Sequence, residues 1–271
     1  MNDREPDQIP VDWDNHVCVY EEVFEPFSLA LAEPAIAALG APQAGRVLDV
    51  GAGPGGVALR LARLGWQVTA IDASAGMVRR TKERARAAGL AIEARVMDGE
   101  QLAFADATFA AALSVFGVIL FPDAVRGLTE MRRVTRSGGQ VAVVTWTAPE
   151  RYELIAELRA SIALVGASPS MPARLPAQLR FRNEAEFRAL FHAAGFASVD
   201  IETAAAKLEA PSARWLVERI AFAPGMAAML AGLGEAKGQV LHALETRLST
   251  RFGVGPVALG GVAFVGMASA D

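Results

Sequence analysis

The chain has 271 residues, of which 52% are hydrophobic and 21% are charged, and its formal net charge at pH 7 is −4. This composition excludes an intrinsically disordered chain, because such chains combine low hydrophobicity with high charge. The acidic balance argues against nucleic acid or an anionic membrane surface as a partner, since proteins that bind many phosphates are usually basic. The length predicts one large domain with an elaboration.

Cysteine and histidine usage gives a prediction about the cellular compartment. The single cysteine, Cys18, cannot form an intramolecular disulfide, and no histidine or cysteine residues have the spacing of metal ligands. Residues 1–10 are polar and acidic and lack the apolar core of a signal peptide, and we expect the first dozen residues to be disordered. The longest uncharged runs, 109–122 and 254–270, contain glycines and are too short to span a membrane. The sequence therefore predicts a metal-free, reduced, cytoplasmic protein that is not inserted in a membrane.

Hydrophobic patterning predicts an α/β fold. Short apolar runs, each followed by a helix-like segment, are predicted as strands at 46–50, 67–71, 91–96, 110–115 and 140–146. Buried strands that alternate with helices form a parallel sheet covered on both faces, which is a doubly wound sheet. Beyond Trp146 the alternation loosens around a connector that holds Pro169, Pro172 and Pro176, and two further strands are predicted at 198–203 and 261–268.

A glycine-rich turn follows the first predicted strand. The segment VLDVGAGPGG at 47–56 places Gly51, Gly53 and Gly56 in a GxGxxG pattern between a strand and a helix, and Asp72 ends the next strand about twenty residues later. Glycines let the backbone approach a ligand closely, and the start of the helix offers unpaired amides. The Asp72 carboxylate can accept both hydroxyls of a ribose. These features predict a site for an adenine nucleoside ligand.

Asp49 lies two residues before the first glycine, and its charge helps to decide between two classes of ligand. A carboxylate at the mouth of the loop would repel the pyrophosphate of a nicotinamide dinucleotide, whereas it suits an ammonium group. Asp49 therefore favours an adenosyl ligand with an amino-acid end. A nicotinamide-dependent oxidoreductase stays open as an alternative, because it shares the glycine pattern and Asp72.

These motifs resemble the class I methyltransferases that depend on S-adenosylmethionine (SAM), of the small-molecule type that includes the ubiquinone and menaquinone biosynthesis enzymes. The resemblance is close over 47–147 and loose elsewhere, and it extends to segments 104–109, 114–117 and 130–134. It implies a Rossmann-like, mostly parallel sheet with an antiparallel last strand. It also implies a helical N-terminal lid at 1–40, a SAM-binding core at 41–203, a helical substrate cap at 204–260 and a final core strand at 261–271.

The resemblance also implies roles for individual residues in binding SAM. The loop would hold the methionine end of SAM, and Asp72 would bind the ribose. Ala73 and Met77 would flank the adenine, and Asp98 would accept a hydrogen bond from the adenine amino group. The full set of predicted cofactor residues is Asp49, Gly51, Ala52, Gly53, Gly55, Asp72, Ala73, Met77, Asp98, Gly99, Ser114 and Val115.

The activity implied by the resemblance is in-line transfer of a methyl group from SAM, with S-adenosylhomocysteine (SAH) as the product. Alignment and exclusion of water supply most of the rate of such a reaction, and a general base is optional. His16 is the candidate base and Tyr20, one helical turn later, the candidate orienting group, although a structural role for His16 stays open. Predicted substrate contacts are Trp13, Phe116, Trp146, Tyr152 and Met226, which favour an apolar or aromatic small molecule. A non-catalytic SAM-binding protein is the other alternative.

Overall fold

The computed structural model describes residues 4–42, 45–168 and 177–271, and the three prolines of the predicted connector lie outside these residues. Seven strands form one sheet: β1 (Arg46–Val50), β2 (Gln67–Asp72), β3 (Ile92–Val96), β4 (Phe109–Val115), β5 (Thr135–Trp146), β6 (Asp200–Ala210) and β7 (Val257–Ala270). Their order is β3-β2-β1-β4-β5-β7-β6. The first five strands pair in parallel, and β7 runs antiparallel to both β5 and β6. The predicted Rossmann-like sheet with an antiparallel last strand is confirmed.

Helices cover both faces of this sheet and its carboxyl-terminal edge. The described α-helices are α1 (Pro10–Asp14), α2 (Val17–Val23), α3 (Glu25–Ala38), α4 (Gly56–Arg63), α5 (Ala75–Ala87), α6 (Ala124–Val134), α7 (Glu153–Val165), α8 (Glu184–Ala193), α9 (Ala213–Glu218), α10 (Pro224–Ala231) and α11 (Lys237–Phe252). In the described parts of the chain, no helix is both long and apolar enough to cross a membrane.

The strands differ from the predicted ones mainly at β6. This strand was predicted to end at 203, but it continues to Ala210 and pairs with β7 over its whole length, from Asp200 opposite Met267 to Ala210 opposite Val257. The second half of β6 is rich in alanine and carries exposed polar side chains. These residue types have a low propensity for β-strands, so the sequence did not indicate a strand there. The helical insertion between β6 and β7 therefore spans 211–256, and we call this insertion the cap segment.

The topology places a crevice at the carboxyl end of β1. This strand lies between β2 and β4, and the chain leaves the sheet on opposite sides of that point. Open parallel sheets bind ligands at such a position, where the strand order reverses. The side chains of β1 and β4 are almost wholly buried, so the crevice has a rigid floor.

Hydrogen bonds hold the N-terminal residues over this crevice. Asp14 Oδ1 accepts hydrogen bonds from Ser74 Oγ at 2.5 Å and from Gly76 N at 2.7 Å, at the start of α5. Glu25 Oε1 accepts a hydrogen bond from Gly56 N at 2.8 Å, at the start of α4. Each carboxylate satisfies helix amides that would otherwise lack partners. The expectation that the first dozen residues are disordered is wrong from Pro6 onward, because Pro6–Gln8 forms a 3-10 turn that leads into α1.

Candidate functional site

A cavity of about 1190 Å³ opens at the carboxyl ends of β1, β2 and β4. A single drug-sized ligand occupies a pocket of roughly 300–1,000 Å³, so this cavity has room for two ligands side by side. Its wall has two parts. The glycine loop and the ends of β2, β3 and β4 form one part, which we call the nucleoside side after the role predicted from the sequence. The other part consists of α7, the Pro6–Gln8 turn and the cap segment, and we call it the acceptor side on the same ground.

The glycine loop is held tightly against the sheet. Gly51 and Ala52 donate their amide hydrogens to Ile71 O, each at 2.9 Å. Gly51 has a φ of +70°, and a Cβ there would lie 2.9 Å from the Cα of Gly117. Gly51 and Gly53 line the cavity, whereas Ala52 and Gly55 are not on its wall. Gly55, with a φ of +91°, is instead needed for close packing of the α4 start against α5.

Asp72 is held by the backbone at the end of β2 and lines the cavity. Its Oδ2 accepts a hydrogen bond from Gly53 N at 2.9 Å, and its Oδ1 accepts one from Ser74 N at 2.8 Å. Burial raises the pKa of the Asp72 carboxyl, an effect that the two amide hydrogen bonds oppose. The carboxyl is thus fixed where the glycine loop meets the cavity. Ala73 and Met77 follow it on the same wall.

Asp49 lies below the loop rather than on the cavity wall. The residue is 1% exposed, and its Oδ2 has no hydrogen-bond partner among the described residues. Burial raises its pKa to about 8, and the nearby carboxyl of Asp72 adds to the increase. The predicted carboxylate is therefore mostly a neutral acid at pH 7, and a cation bound beside it would favour its ionised form.

The four remaining predicted cofactor positions do not all reach the cavity. Asp98 lines the cavity at the end of β3, where its Oδ1 accepts a hydrogen bond from Glu100 N at 2.9 Å. Gly99 beside it also lines the cavity, and a Cβ there would clash with the ring of Phe121. Ser114 is fully buried away from the wall, and its Oγ donates to Val50 O at 2.7 Å. Ser114 thus joins the ends of β1 and β4, while Val115 reaches the cavity.

Four aromatic rings stack in a ladder that forms part of the cavity wall. Phe116 stacks on Trp146 at 4.2 Å between ring centroids, Trp146 on Tyr152 at 5.1 Å, and Tyr152 on Phe27 at 5.6 Å. Phe116, Trp146 and Tyr152, which are three of the predicted substrate contacts, line the cavity. Phe116 has a φ of +56°, a conformation that is costly for a bulky side chain and recurs at functional sites.

The N-terminal helices and the cap segment supply the remaining predicted residues. Trp13, Tyr20 and Met226 all line the cavity. Tyr20 packs edge to face on Trp13 with centroids 5.6 Å apart, and its ring lies 3.9 Å from where a Cβ of Gly53 would stand. Burial raises the pKa of Tyr20 well above its usual value, so its hydroxyl stays protonated and can donate a hydrogen bond.

The predicted base is not brought to the cavity. His16 is absent from the described residues that line it, and its Nδ1 lies 2.8 Å from Asp12 O, one helical turn earlier. The ring therefore has a local role in joining α1 to α2. A residue that the sequence did not reveal, Asp7, does line the cavity and is only 9% exposed. Its position depends on Gly225, 218 residues away, and its polar surroundings in the sequence carry no signal of burial.

The described residues 4–42, 45–168 and 177–271 contain no group of three or more His, Cys, Asp or Glu side chains arranged to hold a metal ion. In this site Asp72 and Asp98 each accept hydrogen bonds from backbone amides. Their arrangement around a glycine loop is that of a site for a nucleoside ligand.

The sequence around the site is similar to that of known methyltransferases. Residues 47–139 match a methyltransferase domain family. An uncharacterised protein of Mycobacterium tuberculosis is 33% identical over 179 residues, which cover 65% of this chain and 61% of that protein. A demethylmenaquinone methyltransferase of Beutenbergia cavernae is 43% identical over 112 residues, which cover 41% of this chain and 45% of that protein. The chain thus spans about three fifths of the length of its mycobacterial relative.

A solved structure extends the likeness to the whole fold. A Haemonchus contortus N-methyltransferase, in complex with phosphomonomethylethanolamine and S-adenosylhomocysteine, superposes with a TM-score of 0.55 at 17% identity. The match covers 94% of this chain and 57% of that chain, and at this identity it concerns the fold alone. Residues 47–139, which include the glycine loop and Asp72, thus match a methyltransferase domain on a Rossmann-like sheet, and the cofactor of this domain is S-adenosylmethionine.

Proposed function

We propose that the protein transfers the methyl group of SAM to an apolar or aromatic small molecule and releases SAH. One observation carries this proposal: a single cavity, larger than one ligand needs, joins the wall of Gly51, Gly53 and Asp72 to the wall of Phe116 and Trp146. A cofactor and an acceptor bound in one enclosed space can react without leaving the protein.

The residues present fit SAM. Asp72 would accept the ribose hydroxyls through lone pairs that its two amide hydrogen bonds leave free, and Asp98 would accept the adenine amino group. The unpartnered Oδ2 of Asp49 would face the ammonium group from below the loop. When bound, SAM supplies a methyl group on a positively charged sulfur, which is reactive toward a nucleophile placed in line with the carbon–sulfur bond.

The acceptor side would position the nucleophile and exclude water. The ladder of Phe116, Trp146, Tyr152 and Phe27 is rigid, because each ring packs against the next. Alignment by rigid walls can contribute roughly 7–11 kcal/mol to such a reaction, so no dedicated base is needed for a reactive acceptor. The protonated hydroxyl of Tyr20 would orient a polar group of either ligand.

The two alternatives are less well supported. A nicotinamide dinucleotide would bring a pyrophosphate to the loop above Asp49, where a buried acid offers it no positive charge. A non-catalytic SAM-binding protein would have no need of a second, apolar half of the cavity.

The test combines binding with turnover. Purified protein would be titrated with SAH and with NADH in a calorimeter, and then incubated with methyl-labelled SAM and a small-molecule extract of its source cells. We expect binding of SAH alone and a labelled product in the mass spectrum. Asp72→Asn should weaken SAH binding, whereas Asp200→Asn, an exposed edge-strand carboxyl, should not. NADH binding without SAH binding would contradict the proposal, and SAH binding without any labelled product would favour a binding protein.

A further inference from the structure

Asp7 is a buried carboxyl on the acceptor side of the cavity. It belongs to the Pro6–Gln8 turn, and its Oδ1 accepts a hydrogen bond from Gly225 N at 2.7 Å, at the start of α10. Its backbone carbonyl accepts a hydrogen bond from Trp13 Nε1 at 3.0 Å. The carboxyl is therefore fixed in the cavity wall, where the N-terminal residues meet the cap segment.

The described surroundings of this carboxyl contain little positive charge. Its hydrogen-bond donor is a neutral amide, and the nearby titratable groups are the Glu5 carboxyl and the His16 imidazole. Burial raises the pKa of Asp7 to about 6, Glu5 adds to the increase, and the Gly225 amide and His16 oppose it. Arg4, Arg159 and Arg182 also line the cavity, but none of them is among the groups that shift the pKa of Asp7, and Arg159 is paired with Glu150 at 3.0 Å. A carboxylate buried in this way is stabilised when a cation joins it.

Aromatic rings lie beside the carboxyl. The hydrogen bond from its indole keeps Trp13 next to Asp7, and Tyr20 packs edge to face on Trp13. Phe24 and Phe222 continue this aromatic surface, stacked with centroids 5.0 Å apart. All four rings line the cavity. Ring faces attract ammonium groups, and the attraction is stronger where water is excluded.

We propose that the acceptor is an apolar amine, whose protonated nitrogen pairs with Asp7 beside Trp13 and whose apolar body lies against Phe222 and Met226. Before transfer the ammonium gives one proton to the Asp7 carboxylate. The freed nitrogen lone pair then forms the nitrogen–carbon bond as the carbon–sulfur bond of SAM breaks, which leaves a methylated ammonium and SAH. This inference rests on the proposed function and names the class of its acceptor. The carboxylate supplies the charge and fixes the nitrogen, while the rings and the cap segment supply the apolar contact area.

A purely structural role makes a different prediction. If Asp7 only caps the start of α10, its charge is irrelevant to ligands, and an asparagine should serve as well. Asp7→Asn keeps an oxygen that can accept the Gly225 hydrogen bond and removes only the charge. The variant therefore separates the two roles without removing the contact that holds the N-terminal residues to the cap segment.

The probes are 4-phenylbutylamine and 4-phenylbutan-1-ol, which share an apolar body and differ in charge. Their dissociation constants would be measured by calorimetry at pH 7.5, with and without SAH. We expect the wild type to bind the amine at least about tenfold more tightly, as for a hydrogen bond to a charged group. The Asp7→Asn variant should bind the amine about tenfold more weakly than the wild type and the alcohol less than about twofold more weakly. Its circular dichroism spectrum should be unchanged.

Two controls sharpen the test. Glu5→Gln removes a neighbouring carboxyl of the same segment and should keep the preference for the amine. At pH 5 the wild type should lose most of its preference, because Asp7 takes up a proton below its pKa of about 6. Equal binding of amine and alcohol, binding of neither at millimolar concentration, or an equal loss of both in Asp7→Asn would overturn the inference. SAH binding and label transfer are measured separately, so an amine preference without methyl transfer would count against the proposed function alone.

Discussion

Replacing Asp49 by asparagine should stabilise the folded protein and weaken its binding of the cofactor. The carboxyl is 1% exposed, its Oδ2 lacks a partner among the described residues, and its pKa is raised to about 8 from an ordinary value of 3.8. At a pH between these two pKa values, Asp49 has lost its proton in the unfolded chain but keeps it in the folded protein. Since the folded state binds more protons, its stability falls as the pH rises through this range.

The size of the effect follows from the difference between the two pKa values. Each unit of difference corresponds to about 1.4 kcal/mol, and the full slope applies wherever the pH lies well between the two values. Between pH 5 and pH 7 the wild type should therefore lose roughly 3 kcal/mol relative to Asp49→Asn. Below about pH 4 both states hold the proton, and the pH-dependent advantage of the variant should disappear.

The assay is urea unfolding of both proteins at pH 5, 6 and 7 without ligand. Taking the difference between variant and wild type cancels the titration of groups that the two proteins share, so the remaining slope reports Asp49. A difference in unfolding free energy that stays constant over this range would refute the reasoning, because it would mean that Asp49 is ionised in the folded protein. Asp106→Asn, which removes an exposed carboxyl, serves as the control and should show no such slope.

Three further outcomes are expected around the same loop. SAH should bind the wild type more tightly as the pH rises from 6 to 8, because its ammonium group favours ionised Asp49, and calorimetry should show this dependence to be absent in Asp49→Asn. Asp72→Ala should weaken SAH binding by about 1 to 3 kcal/mol, and an unchanged dissociation constant would exclude Asp72 as the ribose acceptor. Gly51→Ala should abolish SAH binding in a titration, because the new Cβ lies 2.9 Å from the Cα of Gly117. Gly89→Ala, at a φ of +66° with no atom nearby, should cost roughly 1–2 kcal/mol of stability and leave binding intact.

The nucleoside side was predictable because its residues are close in sequence. A strand, a glycine turn and an acid at the end of the next strand are joined by one crossover, so their spacing fixes their geometry. The chemical state of Asp49 was not predictable in this way. Its raised pKa depends on burial below the loop, and burial of a single side chain cannot be seen in a local pattern.

The acceptor side was predictable only as a set of apolar residues. Phe116 directly follows β4 and Trp146 ends β5, so their presence in the cavity follows from the fold. His16 was chosen for its chemistry, but a histidine in a helical segment can as easily bond to the preceding turn, as it does with Asp12. Asp7 was missed because its contact with Gly225 joins segments that lie 218 residues apart, and no sequence period connects them.

The three carboxyls around this cavity share one physical feature that links stability to binding. Asp7, Asp49 and Asp72 are each buried, and burial raises the pKa of each more than neighbouring hydrogen bonds lower it. Ionising a buried carboxyl costs free energy, so each of these groups lowers the stability of the ligand-free folded protein as the pH rises. A cationic ligand opposes this loss of stability, because its positive charge lowers the free energy of an ionised carboxyl that is already fixed in place. The proposed cofactor and the proposed acceptor amine both carry a positive charge, so we expect their binding to offset the instability that the buried carboxyls of Asp49 and Asp7 introduce.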